Sequence, residues 1–119
     1  MESAAQVNDV VLDRGHLARM TLGNRSLEQE VLELFDRQAE ILLVRMRKSD
    51  GASVGALAHT LKGSAAGIGA AEVARAAELT ERAAKGSAEE CSAAIDRLAD
   101  AVDKARALIG ELLRQSAKA

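Results

Sequence analysis

Apolar residues recur along most of this chain at intervals of three and four, the spacing that lines one side of an α-helix, and polar or glycine-bearing breaks cut the pattern into five segments. Residues 1–11 read as a loose lead-in. A short helix is predicted from Asp13, a good N-cap, to about Leu22, with Leu17 and Met20 inward and Gly23-Asn24 as its stop. A second helix starts at Ser26, where Ser26 and Gln29 have capping-box spacing. Its apolar stripe is Leu27, Val31, Leu34, Phe35, Ile41, Leu42 and Met46, with Gln38 lying within it as a hydrogen-bonded core amide. Lys48 to Gly51 form a turn.

The third helix spans about Ala52 to Gly67 and turns Val54, Leu57, Ala58, Leu61, Ala65 and Ile68 toward a core. Gly67 and Gly69 bracket a tight turn. An alanine-rich fourth helix covers about Ala70 to Lys85, with Val73, Ala77 and Ala84 inward and Gly86 as its end. Ser87 opens the fifth helix and Glu90 completes a second capping box. Cys91, Ile95, Leu98, Val102, Ala105, Leu108, Ile109 and Leu112 then form an unbroken bundle seam. Short loops favour antiparallel neighbours. The expected fold is all-α, an antiparallel up-down four-helix bundle with a short additional N-terminal helix, built as one domain over residues 1–119.

Composition narrows the picture in the same direction. Ala, Leu, Glu, Arg and Lys dominate, while Pro, Trp and Tyr are absent and Phe occurs once, so strand formation has little support. Sixteen Lys and Arg against 18 Asp and Glu, with no basic run and no aromatic platform, give no reason to expect a nucleic-acid partner. No apolar run approaches the roughly 20 residues that span a bilayer, so no membrane role is expected, and the N-terminus does not resemble a secretory signal. The single Cys91 excludes an internal disulfide, suits a reducing cytoplasm and reads as a small core residue. His16 reads as a surface residue, and two distant histidines with one cysteine make a zinc site unexpected.

The chemistry lies in Leu57-Ala58-His59-Thr60-Leu61-Lys62-Gly63-Ser64-Ala65. At about 100° per residue, His59 points away from the apolar stripe of its helix. Lys62 follows at i+3 and Gly63 at i+4, both beside the ring. Gly55, Ala56, Ala66 and Gly67 complete surroundings with almost no side chains. A glycine inside a helix costs roughly 0.5–1 kcal/mol relative to alanine. Clearance for an approaching group is the simplest compensation at Gly63. Imidazole offers a neutral nucleophile near neutral pH, and one ring nitrogen can attack phosphorus while the other is held by an acceptor. Lys62 is a flexible cation one turn away, suited to phosphoryl oxygens.

The run His59-Thr60-Leu61-Lys62-Gly63-Ser64-Ala65, followed by Ile68-Gly69-Ala70, resembles the histidine-containing phosphotransfer (HPt) domain family. Leu34-Phe35 upstream and Val73-Ala74 and Glu81 downstream are similar to that family's pattern, and the resemblance covers nearly the whole chain. It implies that His59 accepts a phosphoryl group from a receiver-domain aspartate and passes it to another, that Lys62 steadies the phosphoryl oxygens, and that Gly63 gives access. It implies that Glu81 hydrogen-bonds the second imidazole nitrogen. Thr80 departs from the large apolar residue more frequent in the family, which leaves Glu78 as the alternative for that role.

The implied partners are response-regulator receiver domains and a sensor or hybrid histidine kinase, met by a monomer in the cytoplasm. The protein would need no cofactor of its own, since Mg²⁺ belongs to the partner receiver. Gly67-Ile68-Gly69 lacks the preceding strand of a dinucleotide site, and Lys62-Gly63 reverses the phosphate-loop order. No ATP-binding element is visible, so the protein is expected to depend on a donor rather than act as a kinase. Two competing readings are a helical adaptor in which His59 is incidental, and a small hydrolase with His59 as base near Ser64.

Overall fold

The computed structural model describes residues 11–118. These form helices α1 (Arg14–Met20), α2 (Arg25–Arg47), α3 (Gly51–Ile68), α4 (Ala71–Ala83) and α5 (Ala88–Lys118), with no strand among the described residues. Of the lead-in expected over residues 1–11, residues 1–10 lie outside them, and Val11 is not loose but half-buried and packed against the core.

Short polar side chains start most of the helices. Asp13 accepts from the His16 backbone N–H at 3.0 Å, and Asp50 accepts from Ser53 at 3.0 Å. The capping box at the start of α5 is formed: Ser87 Oγ accepts from the Glu90 N–H at 3.0 Å, and Glu90 Oε1 accepts from the Ser87 N–H at 3.3 Å. The box expected at Ser26 is not. Asn24 caps α2 instead, accepting from the Leu27 N–H at 3.0 Å, and Ser26 falls inside the helix. Asn caps as well as Ser does, and the left-handed residues Leu22 and Gly23 already turn the chain so that Asn24 enters in the extended conformation a cap requires.

α2 packs on α3, α3 on α4, α4 on α5, and α5 returns to α2, while α1 lies against α3. The core between them holds Leu32, Phe35, Ala39, Leu42 and Met46 of α2 and Val54, Ala58, Leu61, Ala65 and Ile68 of α3. Val73 and Ala77 of α4 and Ile95, Leu98, Val102, Ala105 and Ile109 of α5 complete it. On the outer side of the α2–α5 seam, Arg106 donates to Asp36 at 2.8 Å and to Glu40 at 3.1 Å.

The expected α2 stripe is thus partly wrong. Phe35, Leu42 and Met46 are buried, but Leu27, Leu34 and Ile41 are 41%, 59% and 56% exposed. The helix carries two apolar rows about 100° apart, and the row through Leu32 and Ala39 is the one its neighbours cover. Gln38 is half-buried beside the other row. Met20 at the end of α1 is also exposed rather than inward. Cys91 is half-buried and packs against the core. Ala84 is half-buried at the α3–α4 contact.

α1 is latched to the end of α3. His16 is half-buried rather than on the surface, with Nε2 3.0 Å from the Gly67 carbonyl oxygen. That carbonyl is among the last four of α3, which have no acceptor role left within the helix, so the ring N–H supplies the missing donor. The Asp13 N–H donates to the Gly69 carbonyl at 2.9 Å. Gly69 ends α3 in the left-handed conformation, φ 84°, and a Cβ there would sit 2.9 Å from the Asp13 carbonyl oxygen. Glycine is required on both counts.

Candidate functional site

The middle of α3 presents His59, Lys62 and Gly63 on its outer side, because Ala58, Leu61 and Ala65 take the core positions between them. The His59 side chain is 67% exposed. Around it, Ala56 and Ala66 are exposed and contribute only methyl groups. A Cβ added at Gly63 or Gly67 would meet nothing within 4 Å, so the chain's own packing does not demand glycine at either position.

α4 supplies the acid. Glu81 Oε2 lies 3.0 Å from His59 Nδ1, and Glu81 Oε1 accepts from Lys62 Nζ at 2.9 Å. One carboxylate thereby clasps both His59 and Lys62 of α3. Lys62 above all holds the Glu81 carboxyl below its ordinary range; partial burial opposes this, and His59 adds to it. An ionised carboxylate only accepts, so Nδ1 carries the hydrogen of this bond, and in a neutral ring with that hydrogen the lone pair is on Nε2.

The facing of Glu81 depends on Thr80. Thr80, which stands where the resembled family more often has a large apolar residue, is fully buried, and its hydroxyl donates to the Ala76 carbonyl at 2.8 Å and lies 3.3 Å from the Ala94 carbonyl of α5. With Thr80 turned into the bundle, the next residue sits on the α3 side of α4. Glu78 does not reach the histidine; it pairs with Arg82 at 3.4 Å along the outside of α4.

Two features of the site escape a reading by spacing along α3 alone. The first is the Lys62–Glu81 ion pair, which crosses between helices. The second is a groove of about 400 Å³ between α3 and α4 that runs from His59 past Ala56 and Ala52 to Ala84 and Lys85. Its far end is formed by Ala84 and Lys85 in the turn that follows α4, which spacing along a helix does not place. No group of three or more His, Cys, Asp or Glu side chains among the described residues is placed to hold a metal ion. No helix among them is long and apolar enough to cross a membrane.

Residues 25–108 match the family model of the Hpt domain. The match takes in α2, α3, α4 and most of α5, and with them His59, Lys62, Gly63 and Glu81. No curated protein and no solved structure matches the chain.

Proposed function

Because the chain belongs to the Hpt-domain family, whose members carry out histidine phosphotransfer in two-component signalling, we propose that it is a phosphorelay intermediate with His59 as its phosphoacceptor. The observation that carries this reading is the exposed imidazole with Nδ1 held by Glu81 and Nε2 free. In the forward step the Nε2 lone pair attacks the phosphorus of a receiver aspartyl phosphate. The N–P bond forms as the P–O bond to the aspartate breaks, and the carboxylate leaves. The ring becomes an imidazolium whose Nδ1–H faces the Glu81 carboxylate, which offsets the new charge. Lys62 leaves Glu81 or shares itself with the phosphoryl oxygens, and Gly63 keeps the approach open. The reverse of these steps hands the phosphoryl group to a second response regulator.

Mg²⁺ enters with the partner receiver, and the protein contributes no kinase activity of its own. A sensor or hybrid kinase stands upstream of the donor aspartate. A single cytoplasmic, monomeric unit with its four long helices in antiparallel up-down order belongs to the same proposal. The short connections over residues 48–50, 69–70 and 84–87 support that order.

The test is transfer of radiolabel from a phosphorylated receiver. The wild-type protein is expected to acquire acid-labile, alkali-stable phosphate, and His59→Gln to acquire none while keeping its helical circular dichroism. Continued labelling of His59→Gln, or partner function unchanged by it, would refute the proposal, the latter in favour of an adaptor.

A further inference from the structure

We propose that the turn between α1 and α2 is a membrane-docking tip, which seats Leu22 in the surface of a bilayer bearing anionic lipid headgroups while the neighbouring arginines pair with those headgroups. The tip is independent of the chemistry at His59 and shares no residue with it.

Leu22 is out of place by two criteria. Its backbone is left-handed, φ 55°, the one non-glycine residue in that region among those described, and left-handed backbone favours glycine or asparagine. Its side chain is 92% exposed, the most of any large apolar residue among them. Glycine would suit the backbone and a polar residue the exposure; leucine serves neither the turn nor the core. An apolar side chain kept at a strained, solvent-facing position points to something outside the fold that takes it up. Met20 at the end of α1 and Leu27 in the first turn of α2 are also exposed, on either side of it in the chain.

Charge identifies the occupant. The whole chain has a net charge of −2, yet from Arg14 to Leu27 it carries three arginines and no acidic residue. Arg14, Arg19 and Arg25 are exposed and form no ion pair among the described residues. Arg14 and Arg25 both line a hollow of about 320 Å³ beside Gly23, between α1, α2 and the end of α5, where Gln115 and Ser116 add neutral donors and Glu28 is the one acidic side chain. Asp13, just before Arg14, is committed to capping α1. Cations around a protruding leucine match a bilayer of anionic lipid: its headgroups meet the arginines, and its fluid surface closes around the leucine without the preformed pocket a protein partner would need.

Each arginine near an anionic leaflet strengthens binding about fivefold, and burial of one leucine adds about tenfold or more. Three arginines and one leucine together reach a factor on the order of 10³, reversible attachment of the kind a single acyl chain gives. No bilayer-spanning segment is needed for it. His16 ties α1 to Gly67, eight residues and about 12 Å along α3 from His59, so docking at the tip does not engage the imidazole.

The experiment is co-sedimentation of the full chain with phosphatidylcholine vesicles, with and without phosphatidylserine, at low and high salt. The wild type is expected to sediment with the phosphatidylserine vesicles and to be released as salt rises. Leu22→Gly is expected to weaken this binding about tenfold or more, and Arg14→Gln and Arg25→Gln about fivefold each. Leu79→Ser, which removes an exposed leucine of α4 away from the arginines, is expected to bind as the wild type does. Thermal unfolding separates binding from folding: Leu22→Gly is expected to melt at or above the wild-type temperature, because glycine suits the left-handed backbone. Equal sedimentation with both kinds of vesicle would overturn the proposal, as would wild-type binding by Leu22→Gly. A lower melting temperature for Leu22→Gly would also overturn it, by showing that the leucine serves the fold. Absence of sedimentation with either vesicle would overturn it in favour of an acidic protein partner at the same tip.

Discussion

Replacing Gly63 by alanine is expected to make this protein more stable and a poorer relay. Gly63 lies in the interior of α3, and the added methyl would meet nothing within 4 Å, so neither a clash nor new burial enters the balance. What remains is helix propensity and the loss of unfolded-chain entropy, together about 0.5–1 kcal/mol in favour of alanine. For a domain of this size that raises the melting temperature by about 2–5 °C. Gly67→Ala is expected to move the same way, since its Cβ also meets open space. Gly51→Ala and Gly69→Ala are expected to move the opposite way. The first would press on the Ala84 carbonyl oxygen at 2.7 Å, and the second would meet the Asp13 carbonyl at 2.9 Å from a left-handed backbone. Thermal unfolding followed by far-UV circular dichroism reads all four. Receiver-to-His59 transfer, measured on the same samples, should fall for Gly63→Ala. A lower melting temperature for Gly63→Ala would refute the claim that the position is unencumbered. A higher one with undiminished transfer would refute clearance as the reason glycine is there.

Three further outcomes follow from the packing and the charges. Phe35→Ala removes the one aromatic side chain from the core and should cost about 3–5 kcal/mol in denaturant unfolding, a large share of what a small domain has. Thr80→Val should cost about 0.5–1.5 kcal/mol through the lost hydroxyl bond to Ala76 while leaving His59 labelling intact, because Glu81 keeps its facing. Asp50 is held below the ordinary carboxylate range chiefly by the Ser53 backbone N–H, and Glu81 chiefly by Lys62. Their stabilising effect is therefore complete above the unfolded carboxylate value and is lost as pH falls through the lower folded value. Asp50→Asn combined with Glu81→Gln should flatten the decline in melting temperature below about pH 5; an unchanged acid limb would contradict the assignment.

The helices and the outer face of α3 that bears His59 were legible because both depend on local spacing. Ser87 and Glu90 are close enough in the chain to cap one another wherever the helix ends up, and they do. The seam of α5 alternates without a competing row, so its buried face has one solution. His59, Lys62 and Gly63 share a side of α3 because of helical pitch alone. α2 was harder. Leu27, Val31 and Leu34, with Ile41 seven residues on, lie on one row with helical spacing just as Leu32, Phe35, Ala39, Leu42 and Met46 do, and periodicity cannot rank two rows on one helix.

Local sequence by itself therefore determined that this protein is helical, roughly where each helix starts and stops, and which side of α3 bears an exposed imidazole. Tertiary structure decided which row of α2 is buried, that Glu81 rather than Glu78 meets the histidine, and that His16 turns inward to the end of α3. Those outcomes depend on how neighbouring helices are rotated and how closely they approach. Rotation is set by volumes such as the buried Thr80 and approach by residues such as Gly51, so groups 22 positions apart, as His59 and Glu81 are, meet only after the bundle has closed.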